Sequence, residues 1–405
     1  MTQTQYDVVI VGGGMVGATL ACALNASPAT QNLSVLIIDA QPQSDTSKAA
    51  PHPSFDSRST ALSAASRGIL ERAGLWHAVQ ASACPIEAIQ VSDKGRLGTT
   101  KLAREDYGVP ALGYVVENAA FGAALSTQLK AARHCEFLAP ARVTAATPVG
   151  GGMRVAVEGE GADTREVTAK LLVVAEGGRS PLCAQLGIAR SQHDYGQHAL
   201  IANVGLTQPH NGVAYERFTA TGPLAMLPLI AADSAQRSSL VWTLDASEAQ
   251  DAAALDDAAL LERLQQAFGW RLGRLGRIGA RAIYPLSLQV AQEQVRPHLV
   301  LLGNVAHTLH PVAGQGMNLS LRDIEALVET LATPTLELGS MTMLTRYLQA
   351  READQNLMIG VTDGLTKLFS SDAQAKVWLR KAGLLSLDLI PALKTRFGAR
   401  AMGFE

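Results

Sequence analysis

Tyr6-Asp-Val-Val-Ile-Val-Gly-Gly-Gly-Met-Val-Gly17 is the stretch that decides the fold. A run of β-branched residues ends at a glycine cluster, and the alanine-rich stretch Met15 to Asn25 follows it. This predicts a buried strand over Tyr6 to Val11, a tight turn and a helix, with a second buried strand at Val35 to Ile38. The glycines fall as Gly12-x-Gly14-x-x-Gly17. The first allows the turn, the second lets backbone amides approach a pyrophosphate at the positive end of the helix, and the third lets helix and strand pack closely. Met15 and Val16 then fall in the first helical turn, against such a ligand. Asp39 closes the second strand, where a carboxylate meets ribose hydroxyls. Strand, helix, strand and carboxylate in register specify a dinucleotide site without saying which dinucleotide.

Working outward, Val149-Gly-Gly-Gly-Met153 echoes the first glycine cluster, but Val155 stands where a third glycine is needed. The alternation from Arg142 to Val157 predicts a hairpin there. Helical periodicity covers Thr60 to Arg72, a buried strand Leu171 to Ala175, another Leu299 to Leu302, and a helix Asn318 to Leu331. From Ala199 to Leu244 the pattern is strand-like, which predicts a mostly antiparallel sheet.

Composition sets the outer limits. With 405 residues the chain exceeds what one core usually serves. Lysine plus arginine number 34 against 36 acidic residues, so no basic footprint for nucleic acid exists. Cys22, Cys84, Cys135 and Cys183 lack the spacing of a zinc site and are expected to be reduced thiols of a cytoplasmic protein. Val8 to Ile38 carries no charge, yet Asp7 and three consecutive glycines argue against a signal peptide or a span. His307 and His310, three apart before a proline, have no neighbouring carboxylate in zincin spacing and are not read as a metal pair.

The far end of the chain selects the dinucleotide. Leu302-Gly-Asn-Val-Ala-His-Thr-Leu-His-Pro-Val-Ala-Gly-Gln-Gly-Met-Asn318 resembles the signature of flavin-dependent aromatic hydroxylases related to para-hydroxybenzoate hydroxylase. That resemblance implies FAD. It assigns Asn304 to the ribityl chain and the turn Gly314, Gln315, Gly316, Met317 and Asn318 to the flavin ring. Val173-Val-Ala-Glu-Gly-Gly-Arg-Ser180 is similar to the family segment that touches flavin and nicotinamide, which brings in Glu176. Three departures stand out: Glu176 for aspartate, Cys183 for arginine, and Asn304 for a carboxylate.

Further segments resemble the branch of this family that acts on prenylated methoxyphenols in ubiquinone biosynthesis. They are Pro53-Ser-Phe-Asp-Ser-Arg58, Glu216 to Pro228, Ala267 to Gly273 and Ile359 to Asp363. The resemblance places Arg58 beside the flavin and the Pro311 carbonyl at the reacting oxygen. It implies reduction of the flavin by NAD(P)H, addition of O2 at flavin C4a as a hydroperoxide, and attack on it by a phenol ring. A base for the phenolic proton is sought among His193, Tyr195, Tyr215 and His310.

The expected fold is α/β (α+β overall). A Rossmann-like FAD-binding domain (1–75, 100–185 and 280–345) interleaves with a mostly antiparallel substrate-binding sheet (76–99 and 186–279), followed by a C-terminal helical region, 346–405. The stretch from Lys376 to Arg400 mixes six basic residues with leucines. It is read either as contact with an inner-membrane surface or as packing on its own domain, on a second copy or on other ubiquinone-biosynthesis enzymes. Two rival functions share the nucleotide motifs: a flavin dehydrogenase without oxygen insertion, and a non-catalytic subunit of a quinone-synthesis assembly. A halogenase is disfavoured because Trp76, Trp242, Trp270 and Trp378 stand isolated.

Overall fold

The computed structural model describes residues 4–42, 58–94, 99–160, 164–178, 180–232, 235–310, 314–369, 398–399 and 402–403. Pro311, Arg179, the segment Pro53 to Ser57 and nearly all of Lys376 to Arg400 lie outside them. The chain opens with β1 (Gln5–Val11), α1 (Met15–Ala26), β2 (Val35–Ile38), β3 (Ser59–Ser63), α2 (Ala64–Arg72) and α3 (Trp76–Val79). Next come β4 (Ala83–Ile86), β5 (Ala88–Asp93), β6 (Thr99–Ala103), β7 (Gly113–Glu117), α4 (Asn118–Ala131) and β8 (Cys135–Leu138). The middle holds β9 (Ala141–Val149), β10 (Gly152–Gly159), β11 (Thr164–Val174), α5 (Pro181–Gln185), β12 (Arg190–Leu206), β13 (Val213–Thr219), β14 (Gly222–Ala232) and β15 (Ala235–Asp245). The last part holds α6 (Ala246–Ala254), α7 (Asp257–Phe268), β16 (Leu275–Ile278), β17 (Ala282–Ala291), β18 (Val295–Arg296), β19 (Leu299–Leu301), β20 (His307–Thr308), α8 (Gln315–Leu331) and α9 (Met341–Phe369).

Two large sheets organise these elements. In the first, β19, β11, β1, β2 and β8 run parallel, with β18 antiparallel at one edge and β9–β10 continuing from β11. Val8, Val9, Ile10 and the whole of β2 are buried because helices cover one face and the β9–β10 ribbon the other. α1 packs on β1 because Gly17 has no side chain: a Cβ there would stand 1.9 Å from the Gly12 carbonyl oxygen.

The second sheet has the order β20-β17-β12-β15-β14-β13-β5-β6 and is antiparallel except at β13–β5. Its two faces follow the strand alternation. Leu200, Ala202, Leu224, Met226, Leu240 and Trp242 pack under α6 and α7. Ile201, Ala225, Leu227 and Val241 turn the other way and line a cavity. A small third sheet, β3-β7-β4, lies beside it.

Some expectations are corrected by pairing. Thr60 to Ser63 is strand, pairing with β7, and the helix starts only where the Ser63 hydroxyl accepts from the Ser66 amide. α8 begins at Gln315, three residues earlier than its periodicity suggested, because Gly314 takes a left-handed turn (φ 61°) directly before it. Two expected boundaries shift as well. β6 spans the expected cut at residue 100, and β17, expected with the nucleotide domain, pairs with β12 in the antiparallel sheet. A strand's partner is a long-range choice that alternation within the strand does not encode.

Candidate active site

One cavity of about 1220 Å³ collects most of the residues singled out in the sequence. Gly12, Gly14, Met15, Val16, Asp39, Arg58, Glu176, Asn304, Gly314, Gln315, Gly316 and Met317 all line it. Apart from Arg58, which precedes β3, they come from four regions of the chain that meet because β1, β2, β11 and β19 end side by side, with the cavity at their C-terminal ends. The wall facing them is the open face of the antiparallel sheet.

At the nucleotide end the geometry is that of a cradle. Gly12 has φ 106°, and a Cβ on it would stand 2.7 Å from the Ala175 carbonyl oxygen. The first turn of α1 carries no acidic side chain and no side-chain cap, so its amides and its dipole face an anion without competition from the protein. Asp39 is buried and accepts from the Gly13 amide at 2.5 Å and from the Gln41 amide at 2.7 Å. Backbone approach, positive helix end and acceptor carboxylate together fit the pyrophosphate and ribose of FAD.

The second glycine turn repeats this arrangement at α8. Gly314 is left-handed, and a Cβ there would meet the Ala61 side chain at 3.0 Å. No acidic side chain lies in the first turn of α8. Asn318 stands behind the turn and does not line the cavity. Its side chain accepts from the Ser63 amide (2.8 Å) and the Ser66 hydroxyl (2.7 Å), and donates to the carbonyls of Ala61 (3.0 Å) and Gly314 (2.8 Å). It pins β3 and α2 to α8, thereby fixing where the turn points. Gly17 likewise acts by packing behind the cradle.

Arg58 reaches the cavity with its guanidinium 4.8 Å from the centre of the Tyr284 ring, a cation–π contact. Glu176 accepts a hydrogen bond from the Ser180 hydroxyl, which also caps α5. Asn304 sits exposed to the cavity on a single turn, Gly303–Val305. Beneath that turn lies a buried charged cluster that sequence reasoning did not find. His307 donates from Nε2 to Asp323 (2.8 Å), Arg351 donates from Nε to the same carboxylate (2.7 Å), and Gln355 adds a third bond (2.9 Å). Burial pushes the Asp323 carboxyl up, but His307 and Arg351 outweigh it and hold the group below the usual carboxylate range.

The four residues weighed as a base divide. Tyr215 packs edge-on against Phe268 at 5.6 Å, under α7, although part of it reaches the cavity. His193, Tyr195 and His310 stack edge to face at 4.9 and 5.3 Å in a column that does not line the cavity. The Tyr195 hydroxyl donates to Asp363 at 2.9 Å, and burial together with that bond raises its pKa well above the ordinary tyrosine value. His310 is fully buried, and burial pushes its imidazole down to about 4, so it is neutral near pH 7. Pro311, expected at the reacting oxygen, lies outside the described residues. One cavity residue that was not weighed as a base in the sequence is Glu216, on β13, whose carboxyl burial pushes up to about 7. The signal was present in the alternation of Val213-Ala-Tyr-Glu-Arg-Phe-Thr219, which places Glu216 on the same face as Ala214.

A parallel nucleotide-binding sheet, two glycine turns converging on one cavity, and an apolar sheet wall opposite them define a dinucleotide-dependent oxidoreductase. Comparison with known proteins narrows the class. The FAD binding domain family model matches residues 5–359. A ubiquinone hydroxylase, UbiL, of Rhodospirillum rubrum is 36% identical over 403 residues, covering 98% of this chain and 89% of the relative. The 3-demethoxyubiquinol 3-hydroxylase of Escherichia coli is 30% identical over 408 residues, covering 100% of both. The crystal structure of p-nitrophenol 4-monooxygenase PnpA from Pseudomonas putida superposes with a TM-score of 0.78 at 16% identity, covering 99% of each chain, and so shares the fold. The chain belongs to the FAD-binding-domain family, alongside the ubiquinone-biosynthesis hydroxylases, and is an FAD-dependent aromatic monooxygenase.

Proposed function

We propose that this enzyme hydroxylates the aromatic ring of a prenylated methoxyphenol on the route to ubiquinone, with FAD as cofactor and NAD(P)H and O2 as co-substrates. The observation that carries the reading is the single cavity. Its one side is built from dinucleotide-binding backbone, and the other from Ile86, Ile89, Ile201, Ala225, Leu227 and Val241. Such a wall suits a ring bearing an apolar tail, since burying apolar surface contributes roughly 25 cal/mol per Å². The two ubiquinone-pathway relatives support the same substrate class.

Bound FAD supplies the two-electron carrier that accepts hydride from NAD(P)H and the site at which O2 is activated. The chain's own residues hold and shield that chemistry. The amides at the start of α1 would hold the pyrophosphate, Asp39 would accept from the ribose, and Asn304, which lines the same cavity, would bond the ribityl chain. The amides at Gly314 to Met317, at the positive end of α8, would stabilise negative charge developing on a bound flavin. Arg58 adds a fixed cation held over Tyr284. The apolar wall keeps water from the reacting atoms, which suppresses loss of the activated oxygen as peroxide. A prenylated substrate is drawn from lipid, and no helix among the described residues is long and apolar enough to cross a membrane. Peripheral contact with the membrane surface, from a cytoplasmic protein, is the mode of delivery in this reading.

The test is to purify the protein, record its visible spectrum, and follow NADH, NADPH and O2 consumption with and without a prenylated 2-methoxyphenol. Substrate-dependent consumption with a hydroxylated product is expected. Turnover that continues under nitrogen would make the enzyme a dehydrogenase. Colourless protein, or flavin that neither nicotinamide reduces, would make it a non-catalytic subunit.

A further inference from the structure

The sheet wall of the cavity is apolar with one exception in charge. β13 turns Ala214 and Glu216 toward the cavity, while Tyr215 and Arg217 turn to the opposite face, beside Phe268 and Gly269. In register beside Glu216 stand Val91 on β5 and Ala225 on β14, and one strand further Val241 on β15. Thr243 of β15 adds a hydroxyl to the wall, and Asp93, at the end of β5, lies in register with Phe218, two positions on from Glu216. The other charged groups lining the cavity, Asp39, Arg58, Arg142 and Glu176, belong to segments outside this wall. Among the described residues, Glu216 is therefore the one carboxyl that the substrate side of the cavity presents.

We propose that Glu216 accepts the phenolic proton of the substrate and holds its hydroxyl against the sheet wall while a ring carbon takes the oxygen atom. The inference rests on the hydroxylase reading above. In the step, the phenol O–H bond breaks, the proton moves to a carboxylate oxygen of Glu216, and the electron pair stays on the phenol oxygen. Delocalised into the ring, that pair raises the nucleophilicity of the carbon that forms a C–O bond as the O–O bond breaks. The second oxygen atom leaves as water with the two electrons that NAD(P)H supplies, the ring C–H proton is lost as aromaticity returns, and the proton on Glu216 passes to solvent. A carboxyl with its pKa near 7 is better matched to this transfer than one at the ordinary value, because a general base works best with its pKa near the operating pH.

The experiment uses the FAD-loaded enzyme, a short-chain prenylated 2-methoxyphenol, and a nitro-substituted 2-methoxyphenol that is already ionised at neutral pH. With the first, Glu216→Gln is expected to lower the rate of ring hydroxylation about a hundredfold or more, with NAD(P)H diverted to hydrogen peroxide. With the second, whose proton is already gone, the defect of the variant should largely disappear. A variant that hydroxylates the first phenol as fast as the wild type, or that is equally impaired with both, overturns the proposal. A second readout needs neither turnover nor a variant. Binding of the first phenol to the oxidised wild-type enzyme, followed by the flavin spectrum, should tighten about tenfold as pH rises through about 7, because a charged acceptor replaces a neutral one. A flat binding profile overturns the proposal by itself. Wild-type enzyme that makes no hydroxylated product would instead sink the hydroxylase reading, so the two failures are distinguishable.

Discussion

Replacing Asp323 with alanine is expected to destabilise the protein by about 4 kcal/mol and to weaken FAD binding with it. Asp323 is 1% exposed and accepts from His307, Arg351 and Gln355. Breaking a buried ion pair by removing one partner costs about 3–5 kcal/mol, since the remaining charge stays out of water. Arg351, 7% exposed, keeps Asp354 as a partner, which places its share at the low end of that range. The two orphaned donors, His307 Nε2 and Gln355 Nε2, add about 1 kcal/mol or more between them. Loss at the cofactor follows from position: His307 anchors the turn that carries Asn304 into the cavity, and Asp323 stands two helical turns into α8, behind the glycine turn.

Urea denaturation at pH 7 of the wild type, Asp323→Asn, Arg351→Met and the double variant closes a thermodynamic cycle. A coupling of about 2 kcal/mol is expected, with the double variant much less damaged than the sum of the singles. Additivity within about 0.5 kcal/mol would refute the view that these residues act as one unit. The pH dependence has a definite sign. The folded carboxyl titrates below its unfolded value of about 3.9, so its contribution is fully present above that pH and is lost as pH falls through the folded pKa. Asp323→Asn should remove that part of the acid limb.

Gly17→Ala drives a Cβ to 1.9 Å from the Gly12 carbonyl and is expected to yield protein without bound FAD, seen as loss of visible absorbance relative to protein absorbance. Retention of a full complement of flavin would contradict the cradle assignment. Asn318→Leu removes four hydrogen bonds, three of which tie β3 and α2 to α8. It should cost about 2–4 kcal/mol in urea titrations, while Asn318→Asp, which keeps the acceptor, should lose less. His310, neutral in the fold with its imidazole pushed down to about 4, makes the unfolded state bind more protons below about pH 6.5. Stability should therefore fall by up to about 1.4 kcal/mol per pH unit between about 6.5 and 4, and His310→Phe should flatten that slope. An unchanged slope would show that the ring is solvated.

Much of this was legible in the amino-acid sequence. Gly12, Gly14, Gly17 and Asp39 were readable because their roles are local: a backbone dihedral, a close approach and a strand end within one βαβ unit. The turn before α8 was named through its resemblance to a family signature, while local periodicity placed the helix start three residues late. The two faces of the antiparallel sheet followed from alternation, which has a period of two along any strand.

Tertiary structure alone decided which strands are neighbours and which side chains share a space. β17 carries nothing in its own alternation that assigns it to β12, because pairing partners lie far away in sequence. The cluster of His307, Asp323, Arg351 and Gln355 draws on three segments, and none of the four has a neighbour in sequence that announces it. Tyr195, His193 and His310 looked like bases by residue type, and packing turned them into a column off the cavity lining. Glu216, quoted only within a segment of family likeness, is set in an apolar wall by the fold. Local dihedral demands and periodicity are properties of short stretches of chain, whereas burial, charge pairing and pKa depend on what distant segments bring to the same place.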